Sequence, residues 1–272
     1  MTGSEGRGRT ALVTGASAGI GAELARVFAA HGFDLVLTAR REDRLVALSR
    51  ELEQKNNVRA RVMPADLARP EAPAELLAAL AADGVIVDAL INNAGYAIAG
   101  MYRETPWATQ RDFIQVLVTA PCELAHRLLP GMTERRYGRI LNVASVAGLM
   151  PGSASHTLYG GAKAMLIKFS QSLHSEQKST GVHVTALCPG FTYSEFHDVN
   201  GTRAVMNRLP KMMWLSAERV ALAGYDAVME NRPLSIPGAQ YKAITALVRF
   251  LPLNAGHRLG EARSRILARR HR

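Results

Sequence analysis

The sequence predicts an α/β fold with one doubly wound parallel sheet. Short runs of aliphatic and β-branched residues alternate with longer segments of helical pattern. The short runs are apolar throughout, which is typical of parallel strands buried on both faces. Strands that alternate with helices of about ten or more residues form βαβ units. No repeat or linker of biased composition interrupts the pattern, so residues 1–248 are expected to form one domain.

The elements follow in order along the chain. The first strand runs into a glycine-rich turn and a helix, the second helix is charged, and the third is rich in alanine. After the sixth strand the pattern loosens over residues 191–215, beyond the carboxyl end of a strand, where open α/β sheets bind ligands. Strands are predicted at residues 10–14, 34–39, 58–63, 85–91, 138–143 and 182–187, and helices at residues 21–31, 41–54, 73–82, 106–129 and 158–179.

The 272 residues carry a net charge of +10, which is concentrated at the C-terminus. Residues 249–272 contain seven arginines and one acidic residue, so they form a separate basic tail in this interpretation. Cys122 and Cys188 lack the spacing of a disulfide framework or zinc module, and no metal site is expected. The sequence has no apolar leader and no uncharged apolar run of about 18 residues, so a cytoplasmic protein is expected.

The first strand leads into TGASAGIG, in which Gly15, Gly19 and Gly21 are spaced G-x-x-x-G-x-G. Glycines let a backbone approach a pyrophosphate, and the free N–H groups of the following helix attract the anion. A plain strand–helix turn is the alternative. The position directly after the first strand favours dinucleotide binding.

The end of the second strand indicates which nicotinamide cofactor is bound. An acidic residue there would accept the ribose hydroxyls, but the sequence has Ala39, Arg40 and Arg41. A guanidinium suits a 2′-phosphate, so NADP(H) is predicted over NAD(H). The alternative is that both arginines cap a surface helix beside Glu42 and Asp43.

Three polar residues form a candidate catalytic set. Ser145 follows the fifth strand, and Tyr159 and Lys163 lie four residues apart, on one helix face. An ammonium close to the phenol is expected to lower its pKa, so that Tyr159 exchanges a proton with a carbonyl or alcohol oxygen. Ser145 would hydrogen-bond the same oxygen. An isolated Y-x-x-x-K pattern is common in helices by chance. This one is specific because it follows Ser145 and the glycine-rich turn in the same chain.

Together these motifs resemble the short-chain dehydrogenase/reductase family over roughly residues 8–240. The resemblance implies a Rossmann-type domain with seven parallel strands, the last near residues 234–236, and oxidation of secondary alcohols or reduction of carbonyls with NAD(P). It also implies a homodimer or homotetramer built on the two long helices. The motifs are TGASAGIG, NNAG, Ser145, Tyr159-x-x-x-Lys163 and Cys188-Pro189-Gly190.

The family pattern extends the expected site. By that pattern Ser194 would contact the nicotinamide carboxamide. From the residues themselves, Asp66 would accept a bond from the adenine amino group and the NNAG turn would line the ribose, with ordinary turn chemistry as the alternative for each. Lys163 would also bind the nicotinamide ribose. The full set of expected cofactor contacts is Gly15, Ser17, Gly19, Ile20, Gly21, Arg40, Arg41, Asp66, Leu67, Asn93, Ala94, Gly95, Tyr159, Lys163, Pro189, Gly190 and Ser194.

Leu117 departs from the family pattern, which has an asparagine there to hold a water that relays protons from the lysine. Leucine forms no side-chain hydrogen bond. Either the relay runs differently, for example through backbone and Gln115 or Thr119, or turnover is slow. This position keeps open a second hypothesis, a dinucleotide-binding regulator or scaffold with little catalysis.

Aromatic and methionine side chains near the catalytic set predict an apolar, adaptable substrate cavity. Packing in the core or in a lid is the alternative for each of them, and a structural role is the alternative for His156. The expected substrate residues are Met150, His156, Phe191 and Phe196, with Ser153, Tyr193, Met206, Met212, Met213 and Trp214 nearby.

The basic tail has three interpretations. It packs as a terminal helix on the body or on a second subunit, it contacts anionic lipid weakly, or it binds nucleic acid. Leu259, Ala262, Ile266 and Arg269 recur at helical spacing. The sequence has no nucleic-acid-binding motif, and aromatic residues do not alternate with the basic residues of the tail, so a nucleic-acid partner is not expected.

Overall fold

The computed structural model describes residues 5–98, 100–152, 154, 157–193 and 210–250. Seven strands form a parallel sheet in the order β3-β2-β1-β4-β5-β6-β9, and β7 and β8 form a small separate parallel pair. The strands are β1 Thr10–Thr14, β2 Asp34–Thr38, β3 Ala60–Val62, β4 Ala89–Asn92, β5 Gly138–Val143, β6 Val182–Leu187, β7 Thr192–Tyr193, β8 Leu215–Ser216 and β9 Leu234–Ser235. This order confirms the predicted doubly wound α/β fold.

Helices cover both faces of the sheet. Alternate residues of each strand point to opposite sides, so Ala11 and Val13 pack with α1, α2 and α7, whereas Leu12 packs with α3, α5 and α6. No described helix is both long and apolar enough to cross a membrane. The helices are α1 Gly19–Ala30, α2 Glu42–Asn56, α3 Ala72–Ala82, α4 Trp107–Ile114, α5 Ala120–Glu134, α6 Thr157–Glu176, α7 Ala217–Met229 and α8 Ala239–Arg249.

The long helix predicted at residues 106–129 is present and continues to residue 134, but it is not α-helical throughout. The structure has two helices, α4 and α5, joined by a π-helical turn at Gln115–Thr119. Pro121 has no N–H to donate to the carbonyl of Leu117, so the regular ladder cannot continue there. The fourth strand was predicted to begin at residue 85, but in the structure it begins at Ala89. The N–H of Val85 instead donates to Leu80 O at the end of α3.

Helix α7 was missed by the sequence prediction, although Ser216 accepts a hydrogen bond from the N–H of Arg219 and caps its first turn. Helix α8 extends one residue past the boundary predicted at residue 248. The helix suggested by the spacing of Leu259 to Arg269 lies outside the described residues.

The strand order reverses between β1 and β4. Strands β2 and β3 lie on one side of β1, while β4, β5, β6 and β9 follow on the other. In open α/β sheets this reversal leaves a crevice at the carboxyl ends of the strands, where ligands bind. The glycine turn after β1, the NNAG turn after β4, Ser145 after β5 and Pro189 after β6 all lie at this edge.

Candidate active site

The glycine turn and the NNAG turn are packed closely together and hydrogen-bonded to each other. Asn93 donates its side-chain N–H to the carbonyl oxygens of Thr14 and Gly15 at 2.9 and 3.2 Å. A Cβ at Gly15 would lie 2.8 Å from Ala94 Cα, and one at Gly21 would overlap the Gly15 carbonyl oxygen. Gly15 also has a φ of +66°. Both positions therefore require glycine.

Thr14, which sequence reasoning missed, ties these turns to the sheet. Its hydroxyl donates to Ile91 O at 3.2 Å and accepts from the N–H groups of Asn93 and Ala94 at 2.9 and 3.0 Å. A threonine that ends an apolar strand just before a glycine is the clue that the sequence offered.

The first turn of α1 is open to an anion. Its N-cap residue, Ala18, makes no side-chain capping bond, and α1 has no acidic residue in its first turn. Such a helix end presents unpaired N–H groups and a partial positive charge. The glycine cradle and this helix end fit the pyrophosphate of a dinucleotide.

Arg41 lies beside the glycine turn. Its Nε and Nη2 donate to Ser17 Oγ at 3.3 and 3.0 Å, and its side chain is exposed. Arg40 is exposed next to it, and Ala39 packs against the core. Arg41 and Ser17 are therefore hydrogen-bonded to each other beside the glycine turn, and Arg40 lies exposed next to them at the end of β2.

Tyr96, which sequence reasoning missed, adds an aromatic ring to this side of the site. It packs edge-to-face on Phe113 with ring centroids 5.5 Å apart. Burial raises the pKa of Tyr96, Asp112 and Asp66 raise it further, and Arg40 lowers it. Tyr96 therefore lies within electrostatic range of both Arg40 and Asp66.

Asp66 is exposed, and its carboxylate accepts from the N–H of Ala68 at 3.1 Å. Leu67, by contrast, is buried and packs with Phe113 and Leu117. Its side chain belongs to the core, so only Asp66 of this pair offers a side-chain polar group to an adenine.

The candidate catalytic residues come together at the end of β5. The Ser145 hydroxyl lies close enough to the Tyr159 phenol to lower its pKa, and Ser145 Oγ accepts from the N–H of Ala147 at 3.1 Å. Lys163 Nζ lies 5.9 Å from the centroid of the Tyr159 ring and donates to Val143 O at 2.7 Å. Only 5% of Lys163 is exposed. The serine and the lysine therefore both lie near the phenol, and the lysine ammonium is held by the Val143 carbonyl.

The expected lowering of the tyrosine pKa is not what this geometry produces. Burial raises the pKa of Tyr159 to about 12, against the opposing effect of the Ser145 hydrogen bond. Burial likewise lowers the pKa of Lys163 to about 8. The sequence argument is corrected here because Lys163 Nζ is bonded to Val143 O rather than to the phenolic oxygen, and because buried charged forms lose hydration.

A small cavity of about 10 Å³ lies behind Lys163, close to the size needed for one water molecule. Its lining combines apolar and polar groups: Thr14, Leu67, Asn92, Ala94, Val116, Leu117, Pro121, Val143, Lys163 and Leu166. Asn92 and Thr14 are the polar residues beside Lys163, whereas Gln115 and Thr119 are not part of this lining. The suggested detour through Gln115 or Thr119 therefore has no support in the cavity.

A buried polar chain leads away from this cavity. Asn92 donates to Pro121 O at 3.2 Å and to Asn142 Oδ1 at 2.9 Å, and Asn142 donates to Ser170 Oγ at 2.9 Å. These bonds tie β4, β5 and α6 together beneath Lys163. An asparagine inside the apolar run of β5 is the clue in the sequence, because buried amides need partners.

The candidate substrate side is aromatic. Trp214 stacks on Tyr193 with ring centroids 4.7 Å apart and lies 5.9 Å from Phe191. Met150 is half-buried at the end of the turn that follows Ser145. Ser194, His156, Phe196, Ser153 and Met206 lie outside the described residues.

Gly190 and Tyr241 pack against each other next to these aromatic residues. A Cβ at Gly190 would overlap the Tyr241 ring. The Tyr241 hydroxyl accepts from the N–H of Phe191 at 2.9 Å and donates to Met213 O. Pro189 is buried next to Gly190, and its carbonyl accepts from the N–H of Val146 at 3.0 Å. Tyr241, on α8, was not singled out from the sequence.

Known proteins share this arrangement. The family model described as short chain dehydrogenase matches residues 9–203. An oxidoreductase of Myxococcus xanthus is 33% identical over 245 residues, which cover 90% of this chain and 93% of the relative.

Two solved structures extend the likeness. A short-chain dehydrogenase from Sphingobium yanoikuyae in complex with NADPH superimposes with a TM-score of 0.78 at 31% identity, covering 90% of this chain and 96% of that one. The bulky-bulky ketone specific alcohol dehydrogenase from Comamonas testosteroni gives a TM-score of 0.74 at 29% identity, over 90% and 95% of the two chains. The chain therefore belongs to the short-chain dehydrogenase/reductase family of NAD(P)-dependent oxidoreductases.

Proposed function

We propose that this enzyme uses NADP(H) to reduce a carbonyl or oxidise a secondary alcohol, with Tyr159 as the acid/base. The observation that carries this proposal is that Ser145 follows β5 beside Tyr159, whose ring centroid lies 5.9 Å from Nζ of the buried Lys163, at the same edge of the sheet as the glycine turn. When bound, the nicotinamide supplies or accepts the hydride.

The residues supply the proton and hold the reacting oxygen. Because the pKa of Tyr159 is raised to about 12, its hydroxyl stays protonated at neutral pH and can donate to a carbonyl oxygen. The Ser145 hydroxyl donates to the same oxygen and fixes its position. Lys163 would contact the ribose, and Asn93, through its bonds to Thr14 and Gly15, keeps the glycine turn in place.

The preference for NADP(H) is proposed from Arg40, Arg41 and Ser17. Arg40→Ala and Arg41→Ala are each expected to weaken NADPH binding about 10- to 100-fold while NADH binding changes little, since a charge-assisted bond to a phosphate is lost. Titration of both cofactors by fluorescence measures this. Arg50→Ala, an exposed arginine further along α2, is the control. Equal affinity of the wild type for NADPH and NADH would contradict the assignment.

The substrate proposed here is a bulky or apolar carbonyl compound, or the corresponding alcohol. The stacked rings of Tyr193 and Trp214, with Phe191 and Met150, would form the apolar wall. The similar Comamonas enzyme is named for bulky ketones, which supports the same substrate class. We further propose a homodimer or homotetramer built on α5 and α6, which light scattering of the full chain would test.

Leu117→Asn is expected to leave kcat unchanged or to raise it. Leu117 borders the cavity beside Lys163 and Asn92, so an amide there gains polar neighbours and could hold a relay water. Steady-state turnover of NADPH with an accepted ketone measures the effect, and circular dichroism checks folding, since Leu117 is 1% exposed. Leu117→Met, which keeps the site apolar, is the matched control. A well-folded Leu117→Asn variant with a much lower kcat would contradict this view of the relay.

A further inference from the structure

Helix α8 exposes one mixed apolar and basic surface. Its outward side chains recur at helical spacing, and Leu247 is 66% and Phe250 84% exposed. We define the α8 surface by its exposed residues, Lys242, Ala243, Ala246, Leu247, Arg249 and Phe250. The opposite side of the helix, including the buried Tyr241, faces the protein body.

The α8 surface adjoins the candidate substrate wall. Tyr241, in the first turn of α8, is hydrogen-bonded to Phe191 and Met213, and Gln240 Nε2 donates to Met212 O at 3.1 Å. Met212 is itself 76% exposed. The first turn of α8 therefore adjoins the substrate wall, and Leu247 and Phe250 lie at the opposite end of the same helix.

The sequence around α8 is rich in basic residues. Residues 231–272 contain nine basic residues and one acidic residue, Glu261. Two of the basic residues, Lys242 and Arg249, belong to the α8 surface. No acidic residue occurs between Glu230 and Glu261. Arg232 pairs with Glu230 at 2.8 Å. The α8 surface itself therefore contributes two exposed cations, Lys242 and Arg249, beside its exposed apolar side chains.

We propose that the α8 surface docks onto an anionic lipid bilayer and brings the substrate wall close to it. Helices with exposed Leu and Phe beside Lys and Arg bind such interfaces through apolar burial and attraction to anionic headgroups. A second copy of this chain is a poorer occupant, because a twofold interface would bring together two copies of the same positively charged patch. A nucleic acid would gain nothing from Leu247 and Phe250.

The test is co-sedimentation of the full-length protein with vesicles of phosphatidylcholine alone and of phosphatidylcholine with phosphatidylserine. Binding is expected only to the anionic vesicles and is expected to weaken as salt is raised. Removing residues 249–272 should weaken it further, because that deletion removes Arg249, Phe250 and the basic tail. Absence of salt-sensitive binding overturns the proposal.

Two pairs of substitutions distinguish vesicle binding by the α8 surface from vesicle binding by the basic tail. Lys242→Glu with Arg249→Glu, and Leu247→Ser with Phe250→Ser, are each expected to lower the partition coefficient at least about tenfold. The matched controls are Arg50→Glu with Lys178→Glu, and Ile86→Ser with Leu222→Ser, all exposed and away from α8. Binding that survives both α8 pairs but is lost with residues 251–272 overturns the proposal.

The two tryptophans report the orientation. Trp214 lies in the substrate wall and Trp107 begins α4. In the Trp107→Phe protein, brominated lipids should quench Trp214 more strongly than they quench Trp107 in the Trp214→Phe protein. Equal or reversed quenching contradicts docking through α8.

Other outcomes are also decisive. Tyr159→Phe is expected to bind vesicles like the wild type, so failure of the proposed chemistry and failure of docking are separable. An oligomer that dissociates with Leu247→Ser and Phe250→Ser would assign the α8 surface to a second copy, and binding to duplex DNA in place of vesicles would assign it to nucleic acid. Either result overturns the lipid proposal.

Discussion

Replacing Tyr159 with phenylalanine is expected to lower carbonyl reduction about 10²- to 10⁴-fold, the range that a positioned acid contributes. The substitution keeps the ring and its packing and removes only the phenolic hydroxyl near Ser145. NADPH binding is expected to change little, because the glycine turn, Arg40 and Arg41 are unaltered. The measurement is NADPH consumption over a panel of bulky aryl and aliphatic ketones, with NADPH affinity from fluorescence titration.

A second tyrosine supplies the control. The Tyr137 hydroxyl is buried, has no hydrogen-bond partner among the described residues, and lies just before β5, at the edge of the sheet opposite the site. Tyr137→Phe should therefore retain activity. A Tyr159→Phe enzyme within tenfold of the wild type would exclude the phenol as the acid. Tight NADPH binding by a wild-type protein that turns over no ketone would favour the regulatory or scaffold hypothesis.

Much of the fold is predictable because buried parallel strands must be apolar on both faces. Strands β1, β5 and β6 begin and end at the predicted residues. The break at Gln115–Thr119 is harder to predict, since the apolar periodicity continues through it and Pro121 is the only local clue. A proline near the start of a helix is common, so this clue alone does not indicate a π-helical turn.

The site was predictable in its parts but not in its electrostatics. Glycine spacing and the four-residue separation of Tyr159 and Lys163 are local properties, and the structure brings these residues to one edge of the sheet. The lysine's effect on the phenol depends on where Nζ lies, which is set by Val143 O on β5, twenty residues earlier in the chain. Burial of both groups is likewise a property of the whole fold.

Lys163→Met is expected to raise the free energy of unfolding at pH 7 by roughly 1–3 kcal/mol while removing most of the activity. A lysine whose pKa falls from 10.5 to about 8 on folding destabilises the folded state by about 3 kcal/mol below that pH. The lost bond to Val143 O offsets about 1 kcal/mol of the gain. Urea denaturation of both proteins measures the difference.

The pH dependence identifies the cause of this gain. Between pH 8 and 10.5 the unfolded wild type binds more protons than the folded one, so wild-type stability rises with pH across this window. The advantage of Lys163→Met should therefore be largest below pH 8 and nearly vanish by pH 10.5. Lys168→Met, an exposed lysine on the same helix, should show no such trend. An advantage that persists unchanged to high pH would mean that packing rather than buried charge is responsible. A gain in stability that is present below pH 8 and absent near pH 10.5, together with lost turnover, would show that Lys163 serves the chemistry at the expense of the fold.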